Sequence, residues 1–402
     1  LLKRAALLAF LGLLLAFAAA GVAGAEEFVM QWERTLGGRE ADRGFAVQPT
    51  ADGGCIIAGE TFAGRPYPTG WADALLVRLD ASGRPVWQKS FGEVGHDRAL
   101  SVWPTADGGF AVTGVTQRPF TRDADALLAK LDAGGQLRWL KTFGEAGEDA
   151  GACVRQTADG GFIVAGTTTS SGAGGADIYL IKTGADGNPE WEKTFGGPGE
   201  DTAAAVRQTA DGGFIVAGQT FSSGAGGYDV YLVKTDGAGR KQWERTFGGP
   251  GWDLAGAVEE TTDGGYIVVG RSSSFRDGDF DIYLVRTDAQ GNKRWELSLD
   301  GGGFDTGKCV RETANGDFLI AGWADPGGGP VAFYAAAVST AGKKLWEKTL
   351  AGSRFGREFA VQPTADGGFV VAGWWAEPLR NLEWRNDDVQ VYAARLTPRQ
   401  GP

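Results

Sequence analysis

Apolar residues recur along most of the chain in short runs, alternating or continuous, with Gly- and Asp-rich turns between them and no convincing helical period. The segment from Asp201 to Phe247 shows the pattern most clearly. It reads as TAAAVRQT, GFIVAGQT, YDVYLVKT and RKQWERTF, with β-branched residues in the middle of the second and third runs. Four such runs predict four antiparallel strands. The first turn carries Asp211-Gly212, a pair that supplies the positive φ of a tight hairpin at little steric cost. One relative of this turn reads ANGD, with Asn315-Gly316, so the expectation is that turn geometry rather than charge is kept there.

The unit repeats. TADGGFIVAG stands at Thr157–Gly166 and again at Thr209–Gly218, and close relatives begin at Thr50, Thr105, Thr261, Thr313 and Thr364. Trp32, Trp87, Trp139, Trp191, Trp243, Trp295 and Trp346 mark the fourth run of each unit, spaced by 55, 52, 52, 52, 52 and 51 residues. A period near 50 predicts propeller blades. After residue 25 the chain opens on a fourth-type run, FVMQWERTL, and it closes on a third-type run, VQVYAARL, so the first strand can complete the last blade. The expected fold is an all-β, seven-bladed β-propeller of four-stranded blades over residues 26–402, with the N-terminal strand closing the ring and removing exposed edges.

The turn between third and fourth runs adds a resemblance. Asp80 to Trp87, Asp132 to Trp139, Asp236 to Trp243 and Asp288 to Trp295 follow D-x-x-G-x-x-x-W, with Gly184 and Ser339 in place of the Asp in two repeats. This resembles the tryptophan-docking repeat of quinoprotein-type propellers over essentially all of the chain after residue 25. The resemblance implies the fold; it says little of activity, because propellers host many. An oxidoreductase of that kind would usually have eight blades, some with an adjacent cysteine pair, and neither is present here. There is no C-x-x-C-H, and His96 is the only histidine, read as an exposed loop residue. A glycan-active hydrolase needs a carboxylate pair, and nothing in the sequence selects two. The expectation is therefore a binding protein rather than an enzyme, with those two activities and a scaffold for assembling envelope proteins as the alternatives.

Residues 1–25 differ from the rest. Lys3 and Arg4 precede an apolar run that ends in Ala23-Gly24-Ala25, the pattern of a secretory signal cleaved after Ala25, with a membrane anchor as the alternative. A secreted or periplasmic location follows as an expectation. No later stretch is long and apolar enough to span a membrane. Without that segment 37 cationic side chains face 50 anionic ones, a net charge of −13, which argues against a nucleic-acid partner. Cys55, Cys153 and Cys309 are read as buried thiols rather than a disulfide framework.

Topology places the first and third turns of every unit on one face, short and uniform. The second-to-third loops and the links between units fall on the other face, where lengths and sequences vary; binding residues are expected there. An Asp opens nearly every first strand (Asp42, Asp97, Asp149, Asp201, Asp253, Asp305) and most third strands (Asp73, Asp125, Asp177, Asp229, Asp281), expected to accept loop N–H groups rather than to bind a cation. Asp277, Asp279 and Asp281 alternate as in a calcium loop but lack its Gly and distant Glu, which leaves calcium as the one cofactor weighed. Tryptophans beyond the repeat gather in blades six, seven and one: Trp71, Trp323, Trp374, Trp375 and Trp384, together with Arg354, Arg357, Arg380 and Arg385. That sector is the predicted ligand patch, for a glycan or an extracellular or envelope protein, with loop padding as the alternative.

Overall fold

The Asp201–Phe247 unit folds as its pattern predicts, with strands at Asp201–Gln208, Phe214–Thr220, Asp229–Thr235 and Lys241–Phe247. The computed structural model describes residues 28–398, apart from 38–40, 63–70, 93–94, 122, 276–278, 326–330, 352–358 and 377–388. Its described residues form seven antiparallel four-stranded sheets and no helix. The first strand of each sheet touches the first strands of both neighbouring sheets, and that of the seventh, Phe359–Pro363, touches that of the first, Asp42–Pro49. The protein is a seven-bladed β-propeller. In blade seven the outermost strand is Phe28–Leu36, which pairs with Val389–Pro398 from Phe28↔Pro398 to Leu36↔Val391.

The constant letters of the repeat each have a physical task. In TADGGFIVAG at 209–218 the Thr209 hydroxyl donates to Asp211, and Gly212 holds φ at +80°. Gly218 lies opposite the irregularity between Ala203 and Ala205 in the first strand. A Cβ there would sit 1.9 Å from the Thr202 carbonyl oxygen, so only Gly lets the two strands pair. Phe214, Ile215, Val216 and Ala217 are all buried, because both faces of a blade are covered by its neighbours.

The core accordingly lies between blades rather than within them. One cluster joins Ile215, Ala217, Val230 and Leu232 of blade four to Val258, Tyr266, Val268 and Tyr283 of blade five, with Trp243 packed against it. Each outer-strand indole docks on the next blade's third-to-fourth turn. A Cβ at Gly239 would lie 2.8 Å from the Trp191 ring, and one at Gly342 2.8 Å from the Trp295 ring. Trp32, Trp87 and Trp295 also donate from Nε1 to a carbonyl of that turn, at Ala81, Ala133 and Thr340, at 3.0, 3.1 and 2.9 Å. Trp346 is the exception. Blade seven takes its fourth strand from the other end of the chain and so has no such turn. Phe28 packs against Trp346 instead at 6.2 Å, and the indole Nε1 is buried without a hydrogen-bond partner among the described residues.

The uniform face carries charge after all, which corrects the reading of its Asp-Gly turns. Asp52, Asp107, Asp159, Asp211, Asp263 and Asp366 pair with Arg78, Lys130, Lys182, Lys234, Arg286 and Arg395 of the neighbouring third strand; the three Lys pairs stand at 2.9 Å. In blade six the same register brings Ala337 opposite Leu319 where the others have the cation, and there the turn has Asn315. Asn therefore appears where the cation is missing. Burial raises the affinity of Asp211 for a proton, but the Thr209 hydroxyl, the Lys234 ammonium and the Gly213 N–H outweigh it and hold the carboxyl at about 2. Asp107, Asp159 and Asp263 also lie at about 2. At the centre of the ring Arg155 lies 4.3 Å and Arg207 5.7 Å from the Trp103 ring, while Glu259 bridges Arg207 and Arg311 at 2.9 and 2.7 Å. The three cysteines are free and buried, as expected, and burial pushes the Cys55 and Cys309 thiols up to about 12. No described helix is long and apolar enough to cross a membrane.

Two outcomes follow for stability. Gly212→Ala, where a Cβ meets nothing within 4 Å, should cost about 1 kcal/mol for its left-handed φ alone, whereas Gly239→Ala should cost about 3 kcal/mol because it also displaces Trp191; urea denaturation of both variants would measure the difference. Lys234→Ala should cost about 1–3 kcal/mol, and adding Asp211→Asn should return most of it, the combination that blade six carries as Ala337 and Asn315. Because these Asp carboxyls are more acidic folded than unfolded, their contribution is present above pH ~4 and is lost as the pH falls toward 2; melting temperatures should fall across that range, and less so for the double variant.

Candidate functional site

The variable face is built on paired carboxylates that tie its loops down. Asp201 Oδ2 accepts from the Gly197 N–H at 2.8 Å and the Ser222 hydroxyl at 2.5 Å, and Asp253 Oδ2 accepts from Gly249 N–H at 2.9 Å and Ser274 at 2.5 Å. Asp177 and Asp229, from the third strands, accept the N–H groups of Ala173 and Ala225 at 2.8 Å. Burial first, then the charges of Asp201 and Asp253, raise these two carboxyls above the usual range. Loop capping is thus what these carboxylates do at the junctions of blades three to five.

Among the described residues, five large aromatic side chains on this face are exposed: Phe120 (95%), Phe221 (55%), Trp252 (52%), Phe275 (42%) and Phe304 (36%). They concentrate in blades four to six. Phe221 meets Tyr228 at 5.2 Å, and Tyr228 meets Trp252 edge-on at 5.5 Å. Further round, Phe280 and Phe304 lie 4.9 Å apart, with the Arg271 guanidinium 5.0 and 5.1 Å from their rings. Phe120 stands apart, held at φ +60° with its ring edge-on to Trp71 at 5.2 Å.

The predicted sector is only partly in view. Trp71 is half-buried against Phe120. Trp323 is 5% exposed and stacks flat on Phe304 at 5.6 Å, so its ring face is occupied by the protein itself. Trp374 is half-buried opposite Val391, and the neighbouring position, Trp375, pairs with Gln390. Trp384, Arg354, Arg357, Arg380, Arg385 and Asp277 lie outside the described residues. Asp279 is exposed, whereas Asp281 is buried and belongs to a different cluster, with Asp300 and Asp305. His96 is not a loop residue: it opens the first strand of blade two, half-buried, with Nε2 2.9 Å from Glu60, which also binds Arg43 at 2.7 Å. Burial raises the Glu60 carboxyl, and the His96 and Arg43 hydrogen bonds more than reverse this, leaving it below the usual range.

The Phe221, Tyr228 and Trp252 cluster was passed over because only tryptophans beyond the repeat were counted, and by that count blades six, seven and one looked richer. A comparison of adjacent repeats would have found it. Blades three and four are nearly identical, yet Thr169, Ala176 and Glu200 of the one are replaced by Phe221, Tyr228 and Trp252 in the other.

Comparison with known proteins supports the fold and little more. No protein-family model matches the chain. Regulatory protein FlaEY of Caulobacter vibrioides is 28% identical over 166 residues, which is 35% of this chain and 17% of that protein's length. Among solved structures, Sqt1 from Chaetomium thermophilum superposes with a TM-score of 0.50 at 12% identity, covering 94% of this chain and all of that one. BBS1N, solved in complex with ARL6DN, gives 0.53 at 9% identity, covering 94% and 98%. These neighbours are β-propeller proteins, and the fold is one used widely for interaction and binding.

Displayed and packed aromatics should separate in stability. Trp252→Ala should cost less than about 1 kcal/mol and Trp323→Ala about 3–5 kcal/mol, read from denaturation midpoints.

Proposed function

We propose that the protein is an exported binding and interaction module whose variable face holds a protein ligand against Phe221, Tyr228 and Trp252. The observation that carries this is the contrast between blades three and four. Near-identical scaffolds end in Thr169, Ala176 and Glu200 in one case and in three clustered aromatic rings in the other, so the apolar surface is not required by the fold. Clustered Trp and Tyr side chains are the residues that dominate protein interfaces, and a rigid propeller presents them on fixed loops. BBS1N carries ARL6DN on a scaffold of similar shape. A glycan is the second reading, favoured by the exposed Trp252 indole and by Glu200, which accepts from the Tyr228 hydroxyl. The docking of outer-strand indoles on glycines of the next blade supports the finer likeness to quinoprotein-type propellers.

The test replaces the three rings by their blade-three counterparts, Phe221→Thr, Tyr228→Ala and Trp252→Glu, which leaves the fold intact. A photo-crosslinking side chain at position 252, in cells of the source organism, should trap one discrete protein, and the same side chain at position 169 should trap none. Retention of the protein on cell-wall polysaccharide, lost in the triple variant, would instead favour the glycan. No trapping and no retention would reject the aromatic cluster as a binding site. For export, sequencing the N-terminus of protein recovered outside the cytoplasm should read from Glu26; a start within residues 1–25 would count against cleavage after Ala25.

A further inference from the structure

The junction between blades five and six departs from its sisters in a way that loop capping does not explain. At the two preceding junctions a glycine stands between the paired carboxylates, and there is no room for a side chain. A Cβ on Gly196 would lie 2.1 Å from Asp177 and 2.6 Å from Asp201, and one on Gly248 2.4 Å from Asp229 and 2.3 Å from Asp253. At the equivalent position of the next junction the chain has Asp300. The serine hydroxyls that donate to Asp201 and Asp253, from Ser222 and Ser274, correspond in sequence to Pro326, which has no side-chain hydroxyl to donate. A third carboxylate has thus been added where a serine hydroxyl has been replaced, and the Asp325 main-chain N–H donates to Asp305 there.

Asp281, Asp300 and Asp305 each bring a carboxylate oxygen within 4.8 Å of the other two. Asp305 is fully buried. Its Oδ2 accepts the Gly301 N–H at 2.5 Å, while its buried Oδ1 has no hydrogen-bond partner among the described residues. Asp201 and Asp253 also leave Oδ1 unpartnered, but each of them faces a glycine and one other carboxylate rather than two. Three carboxylates at this distance repel one another. The donor set is oxygen alone, without Cys or His, which selects a hard cation.

We propose that Asp281, Asp300 and Asp305 form a calcium site that pins blade five to blade six on the variable face. The cation bridges the third strand of one blade, the link and the first strand of the next, and flexible oxygen sites of this kind suit calcium better than the stricter octahedron of magnesium. The proposal does not rest on the nature of the ligand at Phe221 and Trp252.

The test uses Asp300→Gly, which restores the residue of the sister junctions, and Asp229→Asn at the neighbouring junction as a control. Protein stripped with EDTA and melted at pH 8, where carboxyl groups are ionised, should gain about 2–4 °C in millimolar calcium. Asp300→Gly should fold, melt no lower than the parent in EDTA, and lose the calcium response; Asp229→Asn should keep it. Terbium luminescence, sensitised by nearby aromatic side chains and displaced by calcium, should appear in the parent and vanish in Asp300→Gly. A parent without a calcium shift, a shift that survives in Asp300→Gly, or a response to magnesium with none to calcium would overturn the assignment.

Discussion

A four-stranded blade has two apolar faces and cannot cover either by itself. The architecture depends on the way neighbouring blades solve this, most visibly where an indole of one blade lies flat against a glycine of the next. That contact needs Gly for two reasons at once: the turn holds a positive φ, near +73° at Gly239, and the ring leaves no space for a Cβ. The contact also sets the period of the chain, since every unit must offer one ring and one bare turn. It fixes where the core lies as well, in layers between sheets such as the one joining blades four and five.

This explains why the fold was legible and the site less so. Strand limits in blade four fall within a residue of those read from TAAAVRQT, GFIVAGQT, YDVYLVKT and RKQWERTF, because repetition makes each local signal seven times redundant. The seam was legible too, from a fourth-type run at the start and a third-type run at the end. Chemistry that depends on two distant positions was not. Asn315 looked like evidence against a role for charge until the sheet register put Ala337 at the position where the other blades have their cation. Trp323 looked available until Phe304 was found stacked on it. Asp281 looked like the end of a sequence-local triplet, yet its carboxylate neighbours come from the link and from the next blade.

The two faces solve the same electrostatic problem differently. On the uniform face each Asp-Gly turn carboxylate has a cation from the third strand of its own blade; in blade six, where Ala337 takes the cation's place, Asn315 replaces that Asp and donates to Asp317. On the variable face the carboxylates are paired with one another and satisfied by loop N–H groups and hydroxyls, an arrangement that holds Gly-rich loops in place but stores repulsion. Burial and the neighbouring charge of Asp281, partly opposed by the Gly301 N–H, push the Asp305 carboxyl up to about 7.

The seam gives the chain a particular order of events. Phe28–Leu36 leaves the ribosome well before its partner Val389–Pro398, with six whole blades between them. That strand has no sheet to join until the six blades between have been made, and each of those can form from residues close in sequence. Through that interval an unpaired strand of alternating character travels with a half-built ring that has two open edges. Until the circle closes, that strand and those edges are open to pairing with the wrong partner.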